Sequence, residues 1–292
     1  MTIDVEEYFQ VWALSQRIDR NDWDGFAPRV EDSTRRILDL LAEKNATATF
    51  FTLGWVAERA PKLMRDIARA GHEVGSHGYD HRKVFDMRPE EFFDDLRRTK
   101  IILEDASETP VFGYRAPGFS IDASVNWAYD VLAETGHLYS SSVHPIAHDH
   151  YDGSDAPELP YLPAGRDGVV EIPMATVTLF GKRRPCAGGG YFRLLPYQWT
   201  KYCLKRLEAT SGRGGVFYFH PWEIDADQPK VRGLPLKSRF RHYVNLDRME
   251  HKLAKLMSDF KWRRMDDVFR EEIYEKPESL LTIDRGQMRD AS

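Results

Sequence analysis

The 292 residues carry 41 Lys and Arg against 46 Asp and Glu, a net charge of -5, with 42% hydrophobic and 30% charged residues. That is an ordinary globular composition, and it offers no polycationic footprint for nucleic acid. No stretch approaches the ~20 apolar residues of a membrane span, and the N-terminus lacks the basic start and apolar core of a secretory signal, so the expected location is the cytoplasm.

In chain order, TIDV at 2–5 predicts a strand that runs straight into the acids Asp4, Glu6 and Glu7. Residues 33–44 place Ile37, Leu38, Leu40 and Leu41 on a helical stripe. ATATFFTLG (46–54) is rich in β-branched and aromatic residues and predicts a second strand. A helix over about 57–70 should stop at Gly71. HEVGSHG reads as a third strand, and Pro89 opens a helix to about 104. VFGYRAP is a strand entering a loop, 123–134 a helix, and HLYSSSV another strand. Residues 145–170, rich in Asp, Pro and Gly, predict a long surface loop. VVEIPMATVTLF resumes strand character, Pro196 starts a helix to about 209, and GGVFYFHP (214–221) is a strong strand. Residues 225–245 read as loop and 246–259 as helix, and a polar tail follows Lys276. Cys186 and Cys203 read as buried free thiols, a disulfide being the alternative.

This alternation implies parallel strands with helical crossovers. About seven strand-helix units in a single domain fit a distorted or incomplete (β/α) barrel. Chemistry in such folds collects where strands end and loops begin. Polar residues sit at those places: Asp4, Glu6 and Glu7 after the first strand, His77 and His81 in GSHGYDH, Arg115 and Pro117 in YRAPG, and His220 in FYFHPW. On a helical turn, the i,i+4 spacing of His77 and His81 brings both imidazoles to one face, within reach of one ion. Surface or core packing is the plainer reading of the pair alone. Asp4 and Glu6, two apart on an extended segment, point the same way and Glu7 the other. One of the same-face pair can hold a metal while the other takes a proton; an exposed acidic turn is the alternative. Arg115 can hold a carboxylate bidentately, the Gly118 N–H can serve an oxyanion, and His220 is either a core histidine or a general acid.

Taken in order, TIDVEE, SHGYDH, YRAPGFS and FYFHPW resemble the polysaccharide deacetylases, the NodB-homology or family 4 carbohydrate esterases. TIDVEEYFQV, GYRAPGFSI and GGGYFRLLP resemble the branch associated with bacterial exopolysaccharide biosynthesis, which carries an extra C-terminal segment. The resemblance implies a barrel domain over 1–275, with that segment at about 222–275 and a tail at 276–292. It implies hydrolysis of N-acetyl groups on an amino-sugar polymer or oligomer with one divalent metal, Zn2+ by expectation. Asp4 then matches the base, Glu6 the carboxylate ligand with Glu7 as fallback, His77 and His81 the histidine ligands, Arg115 the residue holding the base, and His220 the acid.

Two departures stand out. The first motif is D-V-E-E where many relatives have adjacent aspartates, and YSSSVHP lacks the aspartate that supports the acid histidine in the family. Tyr8, Pro117, Phe119, Tyr191 and Trp222 flank the motifs as candidate sugar-binding residues. CAGGGYFRLLP reads either as a backbone approach to a sugar or as a flexible turn. His144, His148 and His150 with Asp149 and Asp152 form a lesser candidate for a second metal or a cleft wall. Two other functions share the scaffold: an amidase acting on small cyclic amides, and a catalytically silent carbohydrate-binding partner in polysaccharide assembly.

Overall fold

The computed structural model describes residues 1–15, 17–148, 151–163, 165, 168–212 and 214–283. Its strands are β1 (Thr2–Val5), β2 (Thr49–Thr52), β3 (Glu73–Ser76), β4 (Gly113–Tyr114), β5 (Tyr139–Ser140), β6 (Ala147–His148), β7 (Tyr151–Asp152), β8 (Tyr161–Leu162), β9 (Val170–Glu171), β10 (Thr176–Leu179), β11 (Lys182–Pro185), β12 (Tyr218–Phe219) and β13 (Leu281–Thr282). Its α-helices are α1 (Val30–Glu43), α2 (Gly54–Arg59), α3 (Pro61–Arg69), α4 (Pro89–Ser107), α5 (Trp127–Glu134), α6 (Gly189–Leu194), α7 (Tyr197–Ser211), α8 (Leu236–Tyr243), α9 (Leu246–Asp259) and α10 (Met265–Val268).

One sheet runs β12-β1-β2-β3-β4-β5-β9-β8-β13, with β12 through β9 parallel in that order and β8 antiparallel to β9. Among the described residues β12 and β13 do not pair, so the sheet does not close. This is the incomplete (β/α) arrangement that the alternating pattern predicts. β1 lies between β2 and β12, and all four of its residues are buried. Ile3, Val5 and Phe50 join α1, α3, α7 and α9 in the largest apolar core through Ile37, Leu63, Leu204 and Leu253.

Local chemistry sets the element ends. Both Glu7 carboxylate oxygens accept from the Arg29 N–H and one also from Val30, capping the start of α1. The single helix expected over 57–70 is two helices, because Pro61 has no N–H to continue the first and takes the opening position of the second. Inside the expected loop 225–245 lies α8, and the expected tail contributes β13 to the sheet edge through Tyr161 and Leu162. Both cysteines are free and buried, in the same core.

At the N-terminal end of β3, buried Glu73 accepts from Thr49 Oγ1 (2.5 Å) and Tyr139 OH (2.7 Å). Burial, with the Asp266 charge, pushes its pKa from 4.5 up to about 7. The fold thus favours the protonated acid. Its contribution is complete below pH 4.5 and is lost as pH rises through about 7. Glu73→Gln should flatten that decline. The stability difference between parent and variant, read from urea unfolding at pH 4.5 and pH 8, should change by about 3 kcal/mol.

Candidate metal centre and active site

All the side chains expected at the site leave the sheet at the C-terminal ends of its parallel strands. Asp4 is in β1 and Glu6 one residue beyond it. His77 follows β3, Arg115 follows β4 and His220 follows β12. The period-2 geometry of the first segment turns Asp4 and Glu6 to one side, 4.0 and 3.6 Å respectively from His220 Nε2. Glu7 turns away to cap α1. Burial is the main reason its pKa rises to about 7.

Asp4 is fixed by Arg115, which is fully buried. Its Nη1 donates to Asp4 Oδ1 (2.7 Å) and to Thr2 Oγ1 (2.7 Å), its Nε to Ser141 O (3.0 Å) and its Nη2 to Ser141 Oγ (3.0 Å). The guanidinium carbon also lies 4.3 Å above the Phe51 ring. YSSSVHP therefore does a different job from the one the resemblance looked for there. Ser141 orients Arg115, Ser142 Oγ accepts the Ala116 N–H (2.9 Å), and Glu171 holds the Ser142 and Val143 N–H groups.

Glu6, His77 and His81 each bring one donor atom to within 4.8 Å of the others. His77 Nδ1 contacts the Arg115 carbonyl at 2.8 Å. A carbonyl only accepts, so Nδ1 carries the proton and Nε2 keeps its lone pair for an ion. Burial, with the His81 charge, holds the His77 pKa down at about 4 against the pull of Asp4 and Glu6, so the ring is neutral at pH 7. Glu6 Oε2 is buried and makes no hydrogen bond, although it stands 2.9 Å from His81 Nε2. A buried carboxylate oxygen without a donor is costly unless a cation meets it. Burial alone would raise the Glu6 pKa, but the charges of His81 and His220 outweigh it and bring it to about 2. Two imidazoles and one carboxylate with a position left over suit a divalent ion such as zinc. The histidines meet for a different reason from the one expected. SHGYDH is a loop, not a helical turn, reversed at Gly78 (φ +72°) and at His81 (φ +60°). The carbonyls of Gly78 and Tyr79 pin it to the start of α2 through the Gly54 and Trp55 N–H groups. A left-handed non-glycine residue needs such support.

His220 Nδ1 contacts Glu223 Oε1 at 2.8 Å, and Arg193 Nε donates to Glu223 Oε2 at 2.7 Å. Burial lowers the His220 pKa, but the Glu6 charge and the Glu223 hydrogen bond and charge outweigh it and raise the pKa to about 9. Glu223 is the acid that YSSSVHP lacked. It follows the histidine by three residues in HPWE, where the chain makes a short turn. The sequence reading missed it because it looked for the support on another strand. Arg193 comes from α6, three residues after the glycine run. A Cβ on Gly189 would lie 2.0 Å from Glu223 Oε1, so the run admits Glu223 to His220. Glu223→Gln keeps the shape and removes the charge, so the His220 pKa should fall. The alkaline limb of the kcat/KM–pH profile should move to lower pH, costing about tenfold at high pH per unit moved.

The aromatic candidates need correction. Tyr8 is 2% exposed and packs edge-on against Phe9 (5.1 Å) and Phe26 (6.5 Å). Phe119 is buried against Tyr218 (4.9 Å) and His144 (5.7 Å). Trp222 lies between His220 (5.2 Å) and His242 (4.4 Å) and donates from Nε1 to Glu6 Oε1 (3.2 Å). These rings have no free face for a sugar; Trp222 instead braces His220 and Glu6. Pro117 is buried, and its Cγ lies 3.8 Å from where a Cβ on Gly78 would stand, so it packs on the histidine loop. Tyr191 is half-buried on α6. Gly118 adopts φ +63°, and a Cβ there would lie 3.5 Å from Lys83 Cε. Lys83 Nζ sits 4.8 Å above the ring of Trp12, an exposed aromatic that the sequence reading did not single out. Of the second histidine group, His144 is buried; Asp149 and His150 lie outside the described residues, as do the side chains of His148 and Asp152.

Residues 22–137 match the model for polysaccharide deacetylase. Over that stretch the chain is similar to the polysaccharide deacetylase family. Residues 141–270 match a domain of unknown function, DUF3473. Asp4 and Glu6 precede both matched segments, whereas His220, Glu223 and Arg193 fall in the second, so the site draws on all three parts of the chain. A peptidoglycan-N-acetylglucosamine deacetylase of Bacillus cereus is 34% identical over 96 residues, covering 32% of this chain and 35% of that protein. A chitooligosaccharide deacetylase of Bradyrhizobium sp. is 27% identical over 111 residues, covering 38% and 48%. The chain thus spans less than half the length of these curated relatives. A crystal structure from Mycobacterium smegmatis, named for the polysaccharide deacetylases, superposes with a TM-score of 0.62 at 22% identity, covering 97% of this chain and 92% of that one. That likeness is one of fold.

Proposed function

We propose that the protein is a metal-dependent N-deacetylase that hydrolyses acetamido groups on an amino-sugar polysaccharide or oligosaccharide and releases acetate. The observation that carries this reading is the convergence of an Arg-held carboxylate, a His-His-Glu donor set and a Glu-backed histidine on one rim. The names of the relatives, which act on peptidoglycan and chitooligosaccharide, support an N-acetylated sugar polymer as substrate class. A place in exopolysaccharide biosynthesis rests on the sequence resemblance.

Glu6, His77 and His81 would hold the divalent ion, with zinc favoured by the nitrogen-rich donor set. Its chemistry when bound is Lewis acidity toward a carbonyl and a lowered pKa for water. Asp4, oriented by Arg115, takes the proton of the attacking water. The Gly118 N–H, on its left-handed turn, is our assignment for a hydrogen bond to the developing oxyanion. His220, charged at neutral pH and aligned by Glu223 and Arg193, gives its proton to the amine as the C–N bond breaks. The products are acetate and a free amino group.

The test is acetate release from an N-acetylglucosamine oligomer, with and without chelator. Release that chelation abolishes supports the reading; no release from metal-replete protein overturns it. A silent binding role drew its support from the missing acid near YSSSVHP. Glu223 stands in that place beside His220, so the catalytic reading is preferred.

A further inference from the structure

We propose that α8 and the segment leading into it are a docking surface for an anionic lipid membrane. Leu236 and Phe240 stand 83% and 57% exposed, four residues apart on this helix and therefore on one face. A single exposed apolar residue is ordinary; a row of them on one face is less so. With Arg239, Tyr243 and Val244 they line a shallow groove of about 370 Å³.

The opposite face of α8 is firmly held. His242 is buried, stacks on Trp222 at 4.4 Å and contacts Gln228 Oε1 through Nε2 at 2.7 Å. Arg193 donates to the carbonyls of Arg241, His242 and Val244 at the end of the helix, and Tyr243, on the same side as Leu236, is itself anchored by accepting the Val231 N–H at its hydroxyl. The fold thus presents Leu236 and Phe240 to solvent from a fixed position; they are not the frayed end of a helix that failed to pack.

The charge around this row identifies the occupant. Between Pro229 and Tyr243 the chain places Lys230, Arg232, Lys237, Arg239 and Arg241 and no Asp or Glu, although its net charge is -5. All five cations are exposed. At 100° per residue, Lys237 and Arg241 flank the Leu236–Phe240 row on one side and Arg239 on the other. An apolar row between cations is the arrangement that enters the headgroup region of an anionic bilayer, with the long basic side chains reaching to phosphate. A protein partner would not by itself require cations on both flanks. The short helix and small apolar area imply reversible attachment, distinct from membrane spanning.

The experiment is sedimentation of the full chain with phosphatidylglycerol-containing vesicles and with pure phosphatidylcholine vesicles, at low and high salt. The expected result is binding to the anionic vesicles alone, weakened by salt, and reduced about fivefold by Arg239→Gln and again by Lys237→Gln. A Leu236→Glu/Phe240→Glu double variant should bind at least about tenfold more weakly while keeping the parent circular dichroism. Absence of binding to anionic vesicles, or equal binding by the double variant, overturns the proposal. So does a concentration-dependent dimer in sedimentation velocity that the double variant abolishes, since that assigns the face to a second copy of the chain.

Discussion

Asp4→Asn is expected to lower acetate release by about 10²–10⁴-fold, the contribution of a positioned general base, while bound metal stays at the parent level. Asn keeps the size of Asp and an oxygen that can accept from Arg115 Nη1, now 2.7 Å from the carboxylate, but it cannot take a proton. The variant should also be less stable. Arg115 is fully buried, and removing the charge of its partner leaves a cation in the interior with weaker compensation, a loss that reaches about 3–5 kcal/mol when such a pair is broken outright. Activity, metal content and unfolding must therefore be measured together at a temperature where the variant is folded. Full activity in folded Asp4→Asn would refute the assignment of the base. Loss of metal along with activity would make Asp4 a ligand instead.

The second large effect concerns His77 and His81. Replacing either by Ala removes one of three donors, and the ion should no longer copurify stoichiometrically with the protein. The two replacements should differ in their side effects. His77 is buried and hydrogen-bonded to the Arg115 carbonyl, so its loss disturbs the loop that carries Arg115. The His81 side chain is 10% exposed, at the open side of the cluster, and in His81→Ala the tertiary structure should survive. Metal analysis after dialysis, paired with near-ultraviolet circular dichroism, separates the two results. Retention of one tightly bound ion per chain by folded His81→Ala would rule out the three-donor site.

Much of this was readable from sequence because hydrophobic periodicity survives in the elements that face the main core. The strand at 2–5 and the helix at 246–259 are found at the predicted positions for that reason. α8 escaped because its apolar residues face outward, leaving LKSRFRHY without a core stripe. The candidate site positions were legible as an ordered set of motifs, each at a strand end. The pairing of Glu223 with Arg193 was not, because it depends on the close approach of two separate turns across Gly189. The aromatic readings failed at Tyr8, Phe119 and Trp222 for a physical reason. Flat rings beside a buried polar site serve first to exclude water and brace imidazoles, and proximity in sequence does not tell a braced ring from an open one.

The pairing of β1 with β12 bears on how the protein comes off the ribosome. Thr2 Oγ1 donates to the Phe217 carbonyl, a contact spanning 215 positions of the chain. β1 is thus flanked on one side by β2 and on the other by β12, which is synthesised much later. Until β12 arrives, β1 presents an unpaired edge, a template for association with other nascent chains. The order of synthesis also splits the chemistry. Glu6, His77 and His81 are synthesised well before His220 and Glu223. A growing chain therefore holds the candidate ion ligands well before the candidate proton donor, and closing this long loop makes slow folding the expectation.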